Sequence, residues 1–172
     1  MTLFQTDRFI VREFEKTDAY ALAKYANNRN VWLGVRDAFP HPYSLDDAKE
    51  FIALAQSKQP ACLFGIEIEM EAVGGIGYFV QEDVYRYSAE IGYWIAEPYW
   101  GKGLMTEIVT RFVEKVFERS NVWRIYAGVF GPNKGSQRVL EKAGFEKEGI
   151  GRKAVFKDGK ILDEVRYALL RP

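Results

Sequence analysis

The chain has 172 residues, 48% hydrophobic and 28% charged, a globular composition that excludes disordered and fibrous classes and fits one domain, residues 1–172, with a core that needs no staples. Lysine plus arginine and aspartate plus glutamate each total 24, so net charge is zero and no basic excess drives nonspecific binding to nucleic acid. The lone Cys62 cannot form an internal disulfide or, by itself, a metal cluster, residues 1–11 lack a signal-peptide core, and no apolar run is long enough for a membrane span, so a cytoplasmic chain with no metal, membrane or nucleic-acid partner is expected.

Residues 6–14 read as a strand with Phe9, Val11 and Glu13 on one face. Residues 18–28 are Ala-rich and helical, with Asp18 as N-cap. Residues 29–43 hold Gly34, Pro40 and Pro42 and read as a long loop with one helical turn. Ser44 to Asp47 opens a helix by side-chain capping; its apolar stripe is Leu45, Ala48, Phe51, Ile52 and Ala55, and Pro60 ends it. Residues 61–70 and 72–80 read as antiparallel strands turning at Glu71. Gly74, Gly75 and Gly77 weaken the second strand or admit another backbone at close range.

Residues 88–96 form a further strand, and residues 104–119 carry the clearest helical period, from Leu104 and Met105 to Val116 and Phe117. A strand over 124–130 and a short helix over 134–143 follow, with Gly144 as a left-handed terminator and Phe145 folding back onto the helix. The chain then returns to strand, and Asp158-Gly159 between Lys157 and Lys160 marks a two-residue hairpin. The order β-α-α-β-β-β-α-β-α-β-β predicts a mixed α/β (α+β) fold: a mostly antiparallel twisted sheet with helices on both faces, and a right-handed parallel crossover over residues 88–130.

Two junctions carry candidate chemistry. In Glu97-Pro-Tyr-Trp-Gly-Lys-Gly-Leu104, two glycines permit unusual dihedrals, free N–H groups at the helix start favour an anion, and Lys102 adds charge. A plain tight turn is the other reading. A dinucleotide fingerprint needs a third glycine where Thr106 stands, and no Walker A sequence is present. In Gly131-Pro-Asn-Lys-Gly-Ser136, Asn133 either caps the short helix or offers donor and acceptor to an amide ligand, and Ser136 can pass a proton.

The strand Ala89-Glu-Ile-Gly-Tyr-Trp-Ile95, the run Trp100-Gly101-Lys102-Gly103-Leu104-Met105-Thr106, the pair Asn133 and Ser136, and Leu140-Glu-Lys-Ala-Gly-Phe145 together resemble the GNAT superfamily of acetyltransferases. Within it, the chain is similar to the ribosomal-protein N-terminal acetyltransferase branch, which the stretch around Phe39-Pro-His-Pro-Tyr43 also resembles. One departure is Pro98, where the wider superfamily often has Gln or Arg three residues before the first glycine.

The resemblance implies an acetyl-CoA site. Strands 88–96 and 124–130 would splay to admit the pantetheine arm, which would pair with backbone at Trp94, Ile95 and Ala96 and meet Asn133. Amides of Gly101 to Thr106, beside Trp100, would hold the pyrophosphate. Direct transfer to a primary amine needs no enzyme nucleophile, and Cys62, in Ala-Cys-Leu-Phe, reads as a small core residue.

By its place in the family motif Ser136 is the acid for the leaving thiolate. Glu90, on the face of Ser88, Gly92 and Trp94, is the base acting through water or a solvated strand carboxylate; His41, between two prolines, is a second base candidate or a structural or exposed loop residue, and Asp163 and Glu164 are outsiders. Trp32, Phe39, His41 and Tyr43 cover the acceptor pocket or pack the core. The expected activity is acetylation of a protein or peptide α-amine. A small-molecule amine and a non-catalytic CoA-binding sensor are the alternatives, and the oligomeric state, a dimer among the options, is open.

Overall fold

A computed structural model describes all of Met1–Pro172. Eight strands form one sheet in the order β1-β2-β3-β4-β5-β6-β8-β7: β1 (Thr2–Gln5), β2 (Ile10–Arg12), β3 (Leu63–Ile68), β4 (Glu71–Val80), β5 (Ser88–Ile95), β6 (Arg124–Phe130), β7 (Glu146–Lys157) and β8 (Lys160–Leu170). Five helices accompany them: α1 (Ala19–Ala26), α2 (Arg29–Trp32), α3 (Leu45–Ser57), α4 (Leu104–Arg119) and α5 (Lys134–Lys142). β5 and β6 pair in parallel, whereas the β1–β2, β2–β3, β3–β4, β6–β8 and β7–β8 ladders are antiparallel, as the mixed α/β reading expected. The residues divide into two compact units, Met1–Gly77 with Gly92–Lys102, and Tyr78–Ile91 with Gly103–Pro172.

In the first unit, the expected strand over residues 6–14 is instead the hairpin β1–β2. Thr6 breaks the alternation: its N–H donates to Phe9 O at 2.9 Å and its Oγ1 accepts from Arg8 N at 3.1 Å, closing a turn. Asp18 does not cap α1. It ends a 3-10 turn, Lys16–Asp18, where its carboxylate accepts from Glu15 N at 2.8 Å and pairs with Arg12. Arg12 also pairs with Glu67 on β3, so one half-buried guanidinium ties three elements, and both carboxylates hold it protonated.

The helix α3 opens as the residues demand: Ser44 Oγ accepts from Asp47 N at 3.1 Å and Asp47 Oδ2 accepts from Ser44 N at 2.7 Å. It ends at Ser57, three residues before Pro60, with Lys58 already extended. Its buried Ala48, Ile52 and Ala55 join Phe14, Leu22, Ala26, Tyr43 and Leu63 in the core. The β3–β4 turn lies at Glu69-Met70, both at positive φ (51° and 66°), and Glu71 is already paired with Ile68.

In the second unit, α4 buries Leu104, Met105, Ile108, Val109, Phe112, Val113 and Val116, the stripe its period announced, and Phe112 meets Tyr78 edge-on at 6.1 Å. Gly144 has φ 88°, its N–H donates to Glu141 O and Phe145 N–H donates to Leu140 O, so α5 ends in the left-handed motif that its glycine signals. Asp158 and Gly159, at φ 50° and 73°, make the β7–β8 turn with Lys157 opposite Lys160.

Candidate active site

The last residues of β5 lie in the first unit, held close to β4. A Cβ on Gly74 would stand 2.4 Å from Trp94 O, so only glycine allows this approach. Ala96 N–H donates to Val73 O at 2.8 Å. Strand alternation therefore turns the main-chain groups of Trp94 and Ala96 toward β4 and those of Tyr93 and Ile95 toward the opposite edge. On that edge Ile95 O accepts the Trp100 indole N–H at 2.7 Å. The Trp94 ring meets Phe39 edge-on at 5.3 Å, and Phe39 meets Tyr43 at 4.8 Å.

Tyr43 and Phe39 thus belong to the core of this unit. Burial pushes the Tyr43 phenol up to about 12. Trp32 and His41 sit nearer solvent, stacked at 5.5 Å, with the Arg29 guanidinium 5.7 Å above the Trp32 ring. Cys62 packs against the same core, and burial raises its thiol above the ordinary range, the reverse of an activated nucleophile.

After β5 a 3-10 turn, Glu97–Tyr99, carries Pro98 in its first positions, where a missing N–H costs nothing. Its Glu97 was not anticipated as a structural anchor. The carboxylate accepts from Asn28 Nδ2 at 2.8 Å and Asn30 Nδ2 at 2.9 Å, while Asn28 Oδ1 caps α2. The residue pattern Asn28-Arg-Asn30 signals a helix cap, but its partner lies 69 residues away. Gly101 follows at φ 74°, and Lys102 extends over the Tyr99 ring at 5.4 Å. Arg8 Nη2 donates to Lys102 O at 2.7 Å, a second anchor that no local pattern announces.

In the second unit α4 begins at Gly103, φ 73° and ψ 0°, with no side-chain cap. The first helical bond is Glu107 N–H to Gly103 O at 3.2 Å. The N–H groups of Gly101 to Thr106 donate to no protein acceptor. Leu104 and Met105 anchor the first turn by burial while their N–H groups stay available. The dipole of a 16-residue helix adds positive potential there. Glu107, the one acid of the first turn, is tempered by Arg111 at 3.2 Å. Nothing would lie within 4 Å of a Cβ on Gly101 or Gly103, so the loop is open to a ligand that approaches its backbone. These features suit a pyrophosphate.

The same unit places Asn133 as the N-cap of α5: its Oδ1 accepts from Ser136 N at 3.1 Å. The capping role expected of Asn133 is therefore real, and its amide nitrogen is the part left for a ligand. Gln137 Nε2 donates to Gly131 O at 2.9 Å and Gly131 N–H to Asp163 O at 2.8 Å, which fixes the junction. Ser136 is half-buried one turn into α5. Half-buried Glu90 stands opposite Tyr126 in the last of three parallel β5–β6 pairs, after Ser88 with Arg124 and Ala89 with Ile125. Asp163 instead accepts from Lys153 N, and Glu164 from Arg166.

A family profile described as an acetyltransferase (GNAT) domain matches residues 8–146. The uncharacterized N-acetyltransferase YoaA of Bacillus subtilis is 32% identical over 174 residues, 99% of this chain and 97% of that protein. The [ribosomal protein uS5]-alanine N-acetyltransferase of Escherichia coli is 32% identical over 176 residues, 97% of this chain and 90% of that protein. The solved structure of RimL, a ribosomal L7/L12 α-N-protein acetyltransferase in complex with coenzyme A, shares the fold with TM-score 0.86, 19% identity and coverage of 99% of this chain and 98% of that one.

Proposed function

The chain belongs to the GNAT acetyltransferase family and is an acetyl-transferring enzyme; we propose that its donor is acetyl-CoA and its acceptor the α-amine at the N-terminus of a protein or peptide. The observation that carries the donor assignment is the run of unpartnered N–H groups from Gly101 to Thr106 at the start of α4, with open space at both glycines. The uS5-alanine enzyme, similar over 97% of this chain, supports the acceptor class and one acetyltransferase domain over residues 1–172. In this reading the reaction takes place in the cytoplasm.

In this reading Gly101, Lys102, Gly103, Leu104, Met105 and Thr106 hold the pyrophosphate, with Trp100 beside them. The edge of β5 at Trp94, Ile95 and Ala96 pairs with the pantetheine arm; Ala96 N–H is engaged by Val73 O and Ile95 O by the Trp100 indole, so the Ile95 N–H, turned to the outer edge, is the donor left for that pairing. Asn133 Nδ2 donates to an arm carbonyl. Bound acetyl-CoA supplies an activated acyl thioester. Glu90 takes the acceptor amine's proton through water, and the Ser136 hydroxyl gives one to the departing sulfur. Cys62, protonated and packed, is no acyl carrier, so transfer is direct. Trp32 and His41 meet the acceptor, with Phe39 and Tyr43 supporting from the core.

Release of free CoA thiol should be followed with peptides bearing a free N-terminus, the same peptides N-terminally blocked, and polyamines. Turnover confined to free α-amines, located by mass spectrometry, is the expected result. Preference for the small amines overturns the acceptor assignment. CoA binding without any turnover would make the site a sensor.

A further inference from the structure

The acetyl-CoA reading leaves one gap: the position that often bears Arg or Gln before the first glycine of the loop is Pro98, which has neither a side-chain cation nor an N–H. The structure brings a guanidinium to this loop from the other end of the chain. Arg8 stands in the β1–β2 turn, where Thr6 Oγ1 accepts its N–H at 3.1 Å and Thr6 N–H donates to Phe9 O at 2.9 Å. Phe9 is buried and meets Phe4 edge-on at 6.3 Å, so the turn is anchored on both sides. From this base Arg8 Nη2 donates to Lys102 O at 2.7 Å, a bond between residues 94 positions apart.

A trans peptide sets its C=O and N–H in opposite directions. Holding Lys102 O therefore also sets the direction of the next N–H, that of Gly103, which donates to no protein acceptor. Without this bond the Lys102–Gly103 peptide plane turns on ψ of Lys102 and on φ of Gly103, a glycine at φ 73°, and is freer to swing. A charged donor on the carbonyl also polarises the peptide and strengthens its N–H as a donor.

We propose that Arg8 is a positioning residue for the donor loop: it fixes the Lys102–Gly103 peptide with the Gly103 N–H turned to the pyrophosphate, and so supplies from the β1–β2 turn the order that Pro98 does not. The inference rests on the acetyl-CoA reading. Its guanidinium lies on the carbonyl side of the plane and acts through the peptide rather than by touching the ligand.

The test compares wild type, Arg8→Met and Arg8→Lys with two donors, acetyl-CoA and S-acetylpantetheine, which lacks the pyrophosphate. Arg8→Met should lower kcat/KM for acetyl-CoA about tenfold, the equivalent of one hydrogen bond to a charged group, through KM, and leave S-acetylpantetheine unchanged. Arg8→Lys, which keeps one charged donor, should recover part of the loss. Urea unfolding of each variant checks that the fold is intact. Equal loss with both donors, or none with either, overturns the role of Arg8. A wild-type enzyme that binds no acetyl-CoA overturns the donor reading itself.

Discussion

Ser136 and Asn133 lie on one turn of α5, and the hydrogen bond between Asn133 Oδ1 and Ser136 N separates what each can do. Asn133→Ala removes a helix cap and should lower stability by about 1 kcal/mol as well as weaken acetyl-CoA binding. Ser136→Ala keeps the cap, because its backbone N–H is the partner. It should lower kcat by about 100-fold, the low end for proton donation since water can substitute, with acetyl-CoA affinity almost unchanged. The reverse pattern in titration and turnover would make Ser136 a binding residue. Glu90→Gln should lower turnover and flatten the acid limb of the pH–rate profile; a profile like wild type removes Glu90 from the mechanism. Two buried phenols give a separate pH signature. Tyr43, raised by burial, and Tyr167, raised by burial and then by its hydrogen bond to Glu141, both reach about 12 against an ordinary 10. Above pH 10 the unfolded chain sheds phenol protons that the folded chain keeps, so this stability is complete below pH 10 and declines as pH rises toward 12. Urea unfolding at about pH 9 and about pH 11 should show the decline, and Tyr43→Phe should reduce it.

At the scale of elements, the loop into α4 and the β4–β5 contact depend on glycine for different reasons. Gly103 needs its positive φ of 73°, and space around it is open. Gly103→Val should therefore cost about 1–2 kcal/mol of stability from backbone strain and a larger share of CoA affinity, read by desulfo-CoA titration beside urea unfolding. Equal binding by the variant would place the phosphates elsewhere. Gly74 needs only proximity: its Cβ would meet Trp94 O at 2.4 Å and Ile95 Cα at 3.0 Å, backbone atoms that cannot swing aside. Gly74→Ala should cost about 1–3 kcal/mol, whereas Gly92→Ala, with nothing within 4 Å, should be close to neutral. The residue pattern weighed Gly74, Gly75 and Gly77 only as strand weakeners or close-approach sites. Which backbone approaches is a matter of partner strand, and no spacing along the chain encodes it.

For the whole molecule, the donor reading predicts that acetyl-CoA stabilises the native state by mass action. At about one hundred times its dissociation constant the gain is about 2.7 kcal/mol, a rise in melting temperature on the order of 5–10 °C for a chain of this size. NADH should give none, since Thr106 replaces the third glycine of a dinucleotide loop. A shift with NADH and not with acetyl-CoA would reverse the assignment. What the residues determined by themselves is local: the apolar stripe of α4, the Ser44–Asp47 capping box, the left-handed end at Gly144 and the Asp158-Gly159 turn. Each is set by hydrogen bonds or side-chain contacts within about one or two helical turns, so spacing alone encodes it. Tertiary structure decided the rest. Thr6 closes a turn where alternation suggested continuous strand, and the β3–β4 turn falls on Glu69-Met70, non-glycine residues taken to positive φ by the register of the strands they join. Glu97 joins Asn28 and Asn30, and Arg8 reaches Lys102. These pairs form because the sheet brings distant segments to hydrogen-bonding range, and a polar side chain records in sequence only that it needs a partner, not which one.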